Sequence, residues 1–189
     1  MSTRDNTFID ADKRMVYIHD DIDSDSISKI CFYLLQTLKS DSDQEDKEKN
    51  FERKPIHMYI NSYGGSVDDM WAIVDIMLGS KTPIYTYSTS HADSCGFFIF
   101  IAGKKRFITK HTKMCVHQFS GLIRGTYQEM LETKAEWDRL WVQLEQYITE
   151  QTKISTERLN EVREKKLDWY VYADESIDLG VATDIISEF

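Results

Sequence analysis

The chain has 189 residues, a formal net charge of −9 and 12% aromatic residues. A chain of this length can bury a sizeable core, and its aromatic content argues against disorder. The acidic balance argues against a nucleic-acid partner, because no basic surface is available to neutralise phosphates. No apolar run reaches membrane-spanning length, and the opening MSTRDNTFIDADKR lacks the apolar core of a signal peptide. We therefore expect a cytoplasmic protein that contacts neither nucleic acid nor membrane.

The cysteines do not follow a metal-binding or disulfide pattern. There are three, Cys31, Cys95 and Cys115, and each lies in an apolar segment. An odd number without motif spacing indicates reduced, buried thiols in a reducing compartment. No cluster has zinc-ligand spacing, so we predict that the protein has no metal site and no cofactor.

The first third of the chain alternates strand and helix patterns. Residues 14–18 read as a strand, and apolar residues at helical spacing predict a helix over 25–39. Residues 40–54, SDSDQEDKEKNFERK, are polar and predict a solvated loop. Residues 56–61, IHMYIN, predict a second strand that is broken by the glycines of SYGGS.

The remainder continues the alternation. Apolar residues recur at helical spacing from Val67 to Met77, and residues 83–88 alternate like a strand. An apolar helix follows Ser94, then two short strands, KRFIT and KMCVH, and helices over 126–151 and 156–166. Strands alternating with helices predict an α/β fold with a largely parallel sheet, in a single domain spanning 1–189.

Three turns that follow strands carry unusual residues. They read NSYGGSV, SHADSCG and VHQFSG. In open α/β sheets, ligands lie beyond the carboxyl ends of the strands, where loops lead into helices. The pair Gly64–Gly65 allows a close backbone approach and leaves N–H groups pointing outward at a helix start, although a plain tight turn explains it too.

Ser94 has two interpretations at this stage. Serine is favoured at helix N-caps, and Ser94 directly precedes the apolar helix. It is also a candidate nucleophile, because backbone donors are free at a helix start, and it would then need a histidine base. His117 ends an apolar strand and is the candidate base, while His91 is a local hydrogen-bond partner for Ser94. Cys95 is a competing nucleophile, and its side chain should point about 100° away from that of Ser94 around the helix axis.

Taken together, these residues resemble the proteolytic subunit of the Clp protease, the ClpP family. Its I-N-S-P-G-G-S-V reads here I-N-S-Y-G-G-S-V (60–67), its A-S-M-G reads D-S-C-G (93–96), and its I-H-Q-P reads V-H-Q-F (116–119). The family's G-K-R-F appears as K-K-R-F (104–107), and its terminal acid as D-W-Y. The resemblance covers roughly residues 14 to 186, and the three motifs stand in the family's order and at its intervals.

The resemblance assigns a serine-peptidase site. It implies Ser94 as nucleophile, His117 as general base and Asp168 as the acid that orients the base. The backbone N–H groups of Gly65 and Cys95 would form the oxyanion hole, and Gly65 would be needed there because a side chain would block the approach. The residues implied at the substrate channel are Gly64, Ser66, Gln118 and Phe119.

The resemblance also implies an assembly. The fold would be ClpP/crotonase-like, with repeated β-β-α units and a protruding handle helix over 126–151. Such subunits form heptameric rings, stacked in pairs, that enclose the active sites and admit only unfolded polypeptide. An AAA+ unfoldase would thread the substrate with ATP. Only a short segment, 1–13, precedes the first predicted strand, which is brief for the axial hairpin that docks the unfoldase in this family.

Several positions depart from the family pattern. The alanine before the nucleophile is Asp93, the arginine after the acid is Trp169, and two prolines are replaced by Tyr63 and Phe119. A carboxylate at Asp93 could misdirect His117 or repel acidic peptides. We favour the other interpretation, a solvated acid that interacts with the positive end of the helix dipole.

Two alternatives to an active peptidase stay open at this stage. One is a non-catalytic or weakly active ring subunit that assembles with an active paralogue, which the changes at Asp93 and Trp169 leave open. The other is an acyl-CoA enzyme of the related crotonase fold, although no basic patch for the adenine nucleotide is visible.

Overall fold

The computed structural model describes residues 7–188. The strands are β1 (Thr7–Asp10), β2 (Met15–Ile22), β3 (Ile56–Gly65), β4 (Ile84–Ser88), β5 (Lys105–Ile108), β6 (Lys113–Val116), β7 (Trp169–Tyr172) and β8 (Asp184–Ile185). The helices are α1 (Ser24–Glu45), α2 (Val67–Leu78), α3 (Cys95–Ile101), α4 (Tyr127–Gln151), α5 (Thr156–Lys165) and α6 (Ala173–Asp178). Among these residues, none of the helices has both the length and the apolar character that crossing a bilayer requires.

The strands form two sheets. The larger has the order β1-β2-β3-β4-β5-β8; its β1–β2 pair is antiparallel and every following pair is parallel. The prediction of an α/β fold with a largely parallel sheet is confirmed. The strands β6 and β7 form a separate antiparallel pair. The loop after β4 reaches this second pair, since His91 pairs with Lys113 and Ser94 N–H donates to Cys115 O.

Helix α3 lies at the centre of the core. Its residues are all buried, and it contacts β3, β4, β6, α2 and α4. A helix that is apolar on every side must be surrounded by other elements to remove that surface from water. The start of α3, which carries Ser94, is therefore held from several directions.

Helix α4 divides into two halves. The second half contributes Trp141, Leu144, Tyr147 and Ile148 to the core. The first half exposes apolar side chains, including Tyr127, which is 74% exposed. Its start is fixed by a capping box in which Thr126 and Glu129 bond each other's backbone N–H groups. The helix predicted over 126–151 is found, and its first half leaves the core.

Two regions differ from the sequence-based expectation. Residues 40–45 are helical rather than loop, and Asp41 is only 2% exposed. Its carboxylate accepts two hydrogen bonds from Arg14, at 3.0 and 2.7 Å, and one from Thr82 at 2.6 Å. These partners lie 27 and 41 residues away in the chain, so the local polar pattern could not reveal them. In the segment 1–13, residues 7–10 form β1, while residues 1–6 lie outside the described residues.

Candidate active site

Ser94 occupies a backbone conformation that side chains rarely adopt. Its φ is 52° and its ψ is −124°, although it is not glycine. It stands at the N-cap position of α3, yet its side chain makes no capping hydrogen bond. Its N–H donates instead to the carbonyl of Cys115 in β6, at 2.9 Å. The interpretation of the Ser94 side chain as a helix cap is therefore wrong.

The two glycines of the preceding turn have different functions. Gly64 has φ +111°, and a Cβ there would lie 2.6 Å from the Cβ of Ser94. Gly65 has φ +151°, and a Cβ there would lie 2.1 Å from the carbonyl oxygen of Ile22 in β2. Gly64 thus makes room for Ser94, whereas Gly65 makes room for the neighbouring strand. A side chain at Gly64 would therefore meet Ser94, while the need for glycine at position 65 in the oxyanion hole stays a prediction.

The peptide groups of Gly65 face the start of α3. Ser66 N–H donates to Ile22 O at 2.8 Å, so in this parallel ladder the groups of Gly65 point away from β2. In agreement, Gly65 O accepts a hydrogen bond from Cys95 Sγ at 3.2 Å. Cys95 is only 3% exposed, and burial raises the pKa of its thiol, which makes it a poor nucleophile. The hydroxyl of Ser66 caps α2 by accepting from Asp69 N–H.

His117 and Asp168 lie at the same end of the β6–β7 pair. The last ladder pair is Val116 with Trp169, so continuing the register by one residue sets His117 opposite Asp168. Opposed residues in such a pair have Cβ atoms about 5 Å apart. In this structure His117 Nδ1 donates to the carbonyl of Gln118 at 2.7 Å. Within the described part of the chain, no hydrogen bond joins the side chains of Ser94, His117 and Asp168.

Asp93 is buried beside this pair. It is 8% exposed, and its Oδ1 accepts a hydrogen bond from the backbone N–H of Cys115 at 2.8 Å. The expectation of a solvated acid at the helix dipole is therefore wrong. Burial raises the pKa of the Asp93 carboxyl, while the Cys115 N–H and the nearby side chains of His91, Lys113 and His117 oppose that rise.

The thiol of Cys115 lies close to both carboxylates of the region. Its pKa is raised to about 11, first by burial and then by the charges of Asp93 and Asp168. The charges of these two acids therefore both act on one residue of β6, two positions before His117. The sequence offered no indication that Cys115 contributes to the site, because it acts through its backbone groups.

One of the residues implied at the channel, Phe119, lines a groove. Phe119 packs its ring against Trp137 and Trp141 of α4, with ring centroids 5.5 and 6.5 Å apart, and Gln118 is exposed. Phe119 also lines a groove of about 850 Å³ between α2 and α4. Its lining combines the apolar Val67, Trp71, Trp137 and Leu140 with the charged Asp68, Glu132, Glu136 and Arg139. The assignment of Gly64, Ser66, Gln118 and Phe119 to a substrate channel stays a prediction.

A metal centre would need several ligating side chains in one place. Over residues 7–188, no cluster of three or more His, Cys, Asp or Glu side chains is arranged to hold a metal ion. The chemistry available at this site is that of hydroxyl, imidazole, carboxylate and backbone N–H groups.

Both the fold and the sequence of this chain match known proteins. A mutant of ClpP1 from Listeria monocytogenes has the same fold, with a TM-score of 0.78 over 94% of both chains at 24% identity. The family model described as Clp protease matches residues 6–189. This chain belongs to the Clp protease family.

Curated relatives agree with this assignment. "ATP-dependent Clp protease proteolytic subunit 4" of Rhodococcus jostii (strain RHA1) is 30% identical over 177 residues, covering 93% of this chain and 85% of that protein. "ATP-dependent Clp protease proteolytic subunit 1" of Prochlorococcus marinus (strain NATL2A) is 29% identical over 178 residues, with the same coverage. The resemblance identified from the sequence motifs and the ClpP-like fold predicted from it are confirmed.

Proposed function

We propose that this protein is a serine endopeptidase subunit that cleaves unfolded polypeptide with Ser94, His117 and Asp168. The observation that carries the proposal is the backbone of Ser94. Its φ of 52° is a sparsely populated conformation, of a kind that costs about 1–3 kcal/mol and persists only where the surrounding structure enforces it. Since no capping hydrogen bond compensates that cost, the conformation is best explained by the presentation of the hydroxyl.

In the proposed reaction, Ser94 Oγ attacks the scissile carbonyl while His117 takes its proton. The tetrahedral oxyanion is stabilised by the N–H groups of Gly65 and Cys95, each worth roughly 3 kcal/mol in such sites. His117 then protonates the leaving amine, and water hydrolyses the acyl-enzyme by the same steps. The orientation of the Gly65 peptide toward α3 supports its part in this hole.

The imidazole has to rotate for this reaction. Its Nδ1 donates to Gln118 O here, whereas an oriented base would donate that proton to Asp168. Catalytic hydrogen bonds are often long or misaligned without substrate and tighten when it binds. The register that sets Asp168 opposite His117 supports this exchange of partners, because only the side chains need to move.

The assembly and partner are part of the same proposal. Relatives of this chain are named proteolytic subunits of an ATP-dependent protease. We infer a homo-oligomeric barrel of one or two heptameric rings that takes substrate from an AAA+ unfoldase in the cytoplasm. The apolar side chains exposed on the first half of α4, among them Tyr127 and Met130, suit a contact between subunits.

Labelling with a fluorophosphonate probe tests the function. The wild-type chain should be labelled at Ser94, and Ser94→Ala should lose labelling and at least about 10³-fold of the hydrolysis of a fluorogenic peptide. His117→Ala should remain folded and lose labelling as well, because the hydroxyl then has no base. Native mass spectrometry of the same samples reports the subunit number. Labelling that persists in Ser94→Ala contradicts the proposal, and an unlabelled, well-assembled wild type favours a non-catalytic ring subunit.

A further inference from the structure

The edge of β6 that faces away from β7 is bonded to the residues around Ser94. Lys113 N–H donates to Ser90 O at 3.0 Å, and Cys115 O accepts from Ser94 N–H at 2.9 Å. Between these two bonds, the N–H of Cys115 also points to this edge. Its acceptor is not a backbone carbonyl but the carboxylate Oδ1 of Asp93, at 2.8 Å.

The backbone of Asp93 cannot take this position itself. Asp93 N–H donates to Ser62 O at 2.9 Å, and Asp93 O accepts from Gly96 N–H at 2.9 Å. Ala92, just before it, also pairs with Ser62 of β3. The N–H and C=O groups of Asp93 are therefore both bonded to β3 and α3, and only its side chain can reach the N–H of Cys115. With alanine, as in the family pattern, the buried N–H of Cys115 would lose the acceptor that it has here.

We propose that Asp93 is a positioning residue, whose carboxylate fixes Cys115 and thereby holds His117 at its working distance from Ser94. This inference rests on the proposed function. Cys115 and His117 are two residues apart at the end of one strand, so a shift of Cys115 carries His117 with it. Asp93 and Ser94 are consecutive and both bond Cys115. One segment thus presents the nucleophile and also holds the strand that leads to the base.

Two substitutions separate the hydrogen bond from the charge. Asp93→Ala removes the acceptor, whereas Asp93→Asn keeps an amide oxygen in the same place and removes only the charge. A misplacement of about 1 Å at reacting groups costs on the order of 10²-fold in rate. We expect Asp93→Ala to lower kcat by about 10²-fold with KM changed less than about threefold, and Asp93→Asn to recover kcat to within about fivefold of wild type.

The measurement combines peptide hydrolysis, at the pH where each variant is most active, with amide hydrogen exchange at Cys115. Exchange at this amide should become faster in Asp93→Ala and stay slow in Asp93→Asn. The matched control is Asp41→Asn, which alters a buried carboxylate outside the site and should leave kcat per folded molecule unchanged. If Asp93→Ala does not fold, Asp93→Asn carries the test alone.

Several outcomes overturn the inference. They are a wild-type kcat in Asp93→Ala, a kcat in Asp93→Asn more than tenfold below wild type, and unchanged exchange at Cys115 in Asp93→Ala. The failure of the proposed function looks different: the wild type is then not labelled at Ser94 at all. That result removes the catalytic role of Asp93, while the exchange experiment still reports whether its carboxylate holds β6.

Discussion

Asp41 and Asp93 are buried carboxylates in opposite situations. Asp41, 2% exposed, accepts two hydrogen bonds from Arg14 and one from Thr82. Burial alone would raise its pKa, but the bonds from Arg14 and Thr82 and the charges of Arg14 and Arg53 together lower it. Asp93, 8% exposed, accepts a backbone N–H, and burial leaves its pKa raised.

The different surroundings of Asp41 and Asp93 indicate different functions of the two regions. Around Asp41, hydrogen bonds from Arg14 and Thr82 satisfy the acid and connect α1 to the segments just before β2 and β4. Around Asp93, no cation among the described residues is bonded to the acid, which stands next to a serine with positive φ. Perturbed acids and strained backbone are typical of functional sites, where the remaining structure compensates their cost. Three predictions test this contrast, in order of decreasing effect.

The largest effect is expected from Asp41→Ala. It leaves the guanidinium of Arg14, whose side chain is 20% exposed, without its partner. Removing one member of a buried ion pair costs about 3 kcal/mol of unfolding free energy, because the remaining charge stays desolvated. Urea unfolding measures the change. The rate of Ser94 labelling per folded molecule should not change, because this region does not contact the site.

Asp43→Ala is the matched control on the same helix. Asp43 pairs with Lys39, but both side chains lie largely in solvent, and such pairs contribute little. We expect its unfolding curve to overlay that of wild type. A similar loss in Asp43→Ala and Asp41→Ala would show that helix α1, rather than the buried pair, is sensitive to charge.

In the region of Asp93, we expect two substitutions of Ser94 to differ in stability. Ser94→Gly and Ser94→Ala both remove the hydroxyl, but only glycine adopts φ 52° with ψ −124° without strain. We therefore expect Ser94→Gly to be more stable than Ser94→Ala by about 1 kcal/mol. Urea unfolding of the two variants gives the difference. Equal stabilities would mean that Ser94 is not strained, which would remove the main support for its function as nucleophile.

The smallest effect is a difference in pH dependence. The lowered pKa of Asp41 means that its contribution to stability is complete above its ordinary pKa of about 4 and is lost as the pH falls through the folded value. The advantage of wild type over Asp41→Asn should therefore shrink in acid. Asp93 should show the opposite pH dependence. Because its pKa is raised, its contribution to stability is present at low pH and is lost as the pH rises through its pKa in the folded state.

The stability of Asp93→Asn should accordingly increase relative to that of wild type as the pH rises from about 4. Thermal midpoints of wild type, Asp41→Asn and Asp93→Asn at pH 3 to 8 measure both trends. Two difference curves with the same slope would show that the two acids do not differ in the way the contacts indicate.

Much of the architecture could be predicted from local patterns. The helical spacing from Val67 to Met77 corresponds to α2, and the stripe over 126–151 corresponds to α4. Each signal comes from residues a few positions apart, which a sequence shows directly. The loop predicted over 40–54 is wrong only for residues 40–45, because the helix continues to Glu45 and burial of Asp41 depends on Arg14 and Thr82 from other parts of the chain.

For the candidate site, too, some features could be predicted from the sequence and others could not. Ser94, Gly64 and Gly65 stand in short motifs that can be read from residue types alone. Their individual tasks could not be read there, since the distance from Gly64 to Ser94 and from Gly65 to Ile22 is set by how β2, β3 and α3 pack. The position of His117 relative to Asp168 depends on the register of two strands more than 50 residues apart.

Residue types and short-range spacing are enough to predict most of the strands and helices, the family and the candidate serine. Folding alone sets the strained backbone of Ser94, the register of β6 and β7 just before His117 and just after Asp168, and the burial of Asp93 as an acceptor for Cys115. The physical reason is that hydrogen bonds and burial are made between segments that the chain brings together only on folding. A carboxylate beside a helix start has the same sequence signature in solvent and in a core, and its partner decides between them.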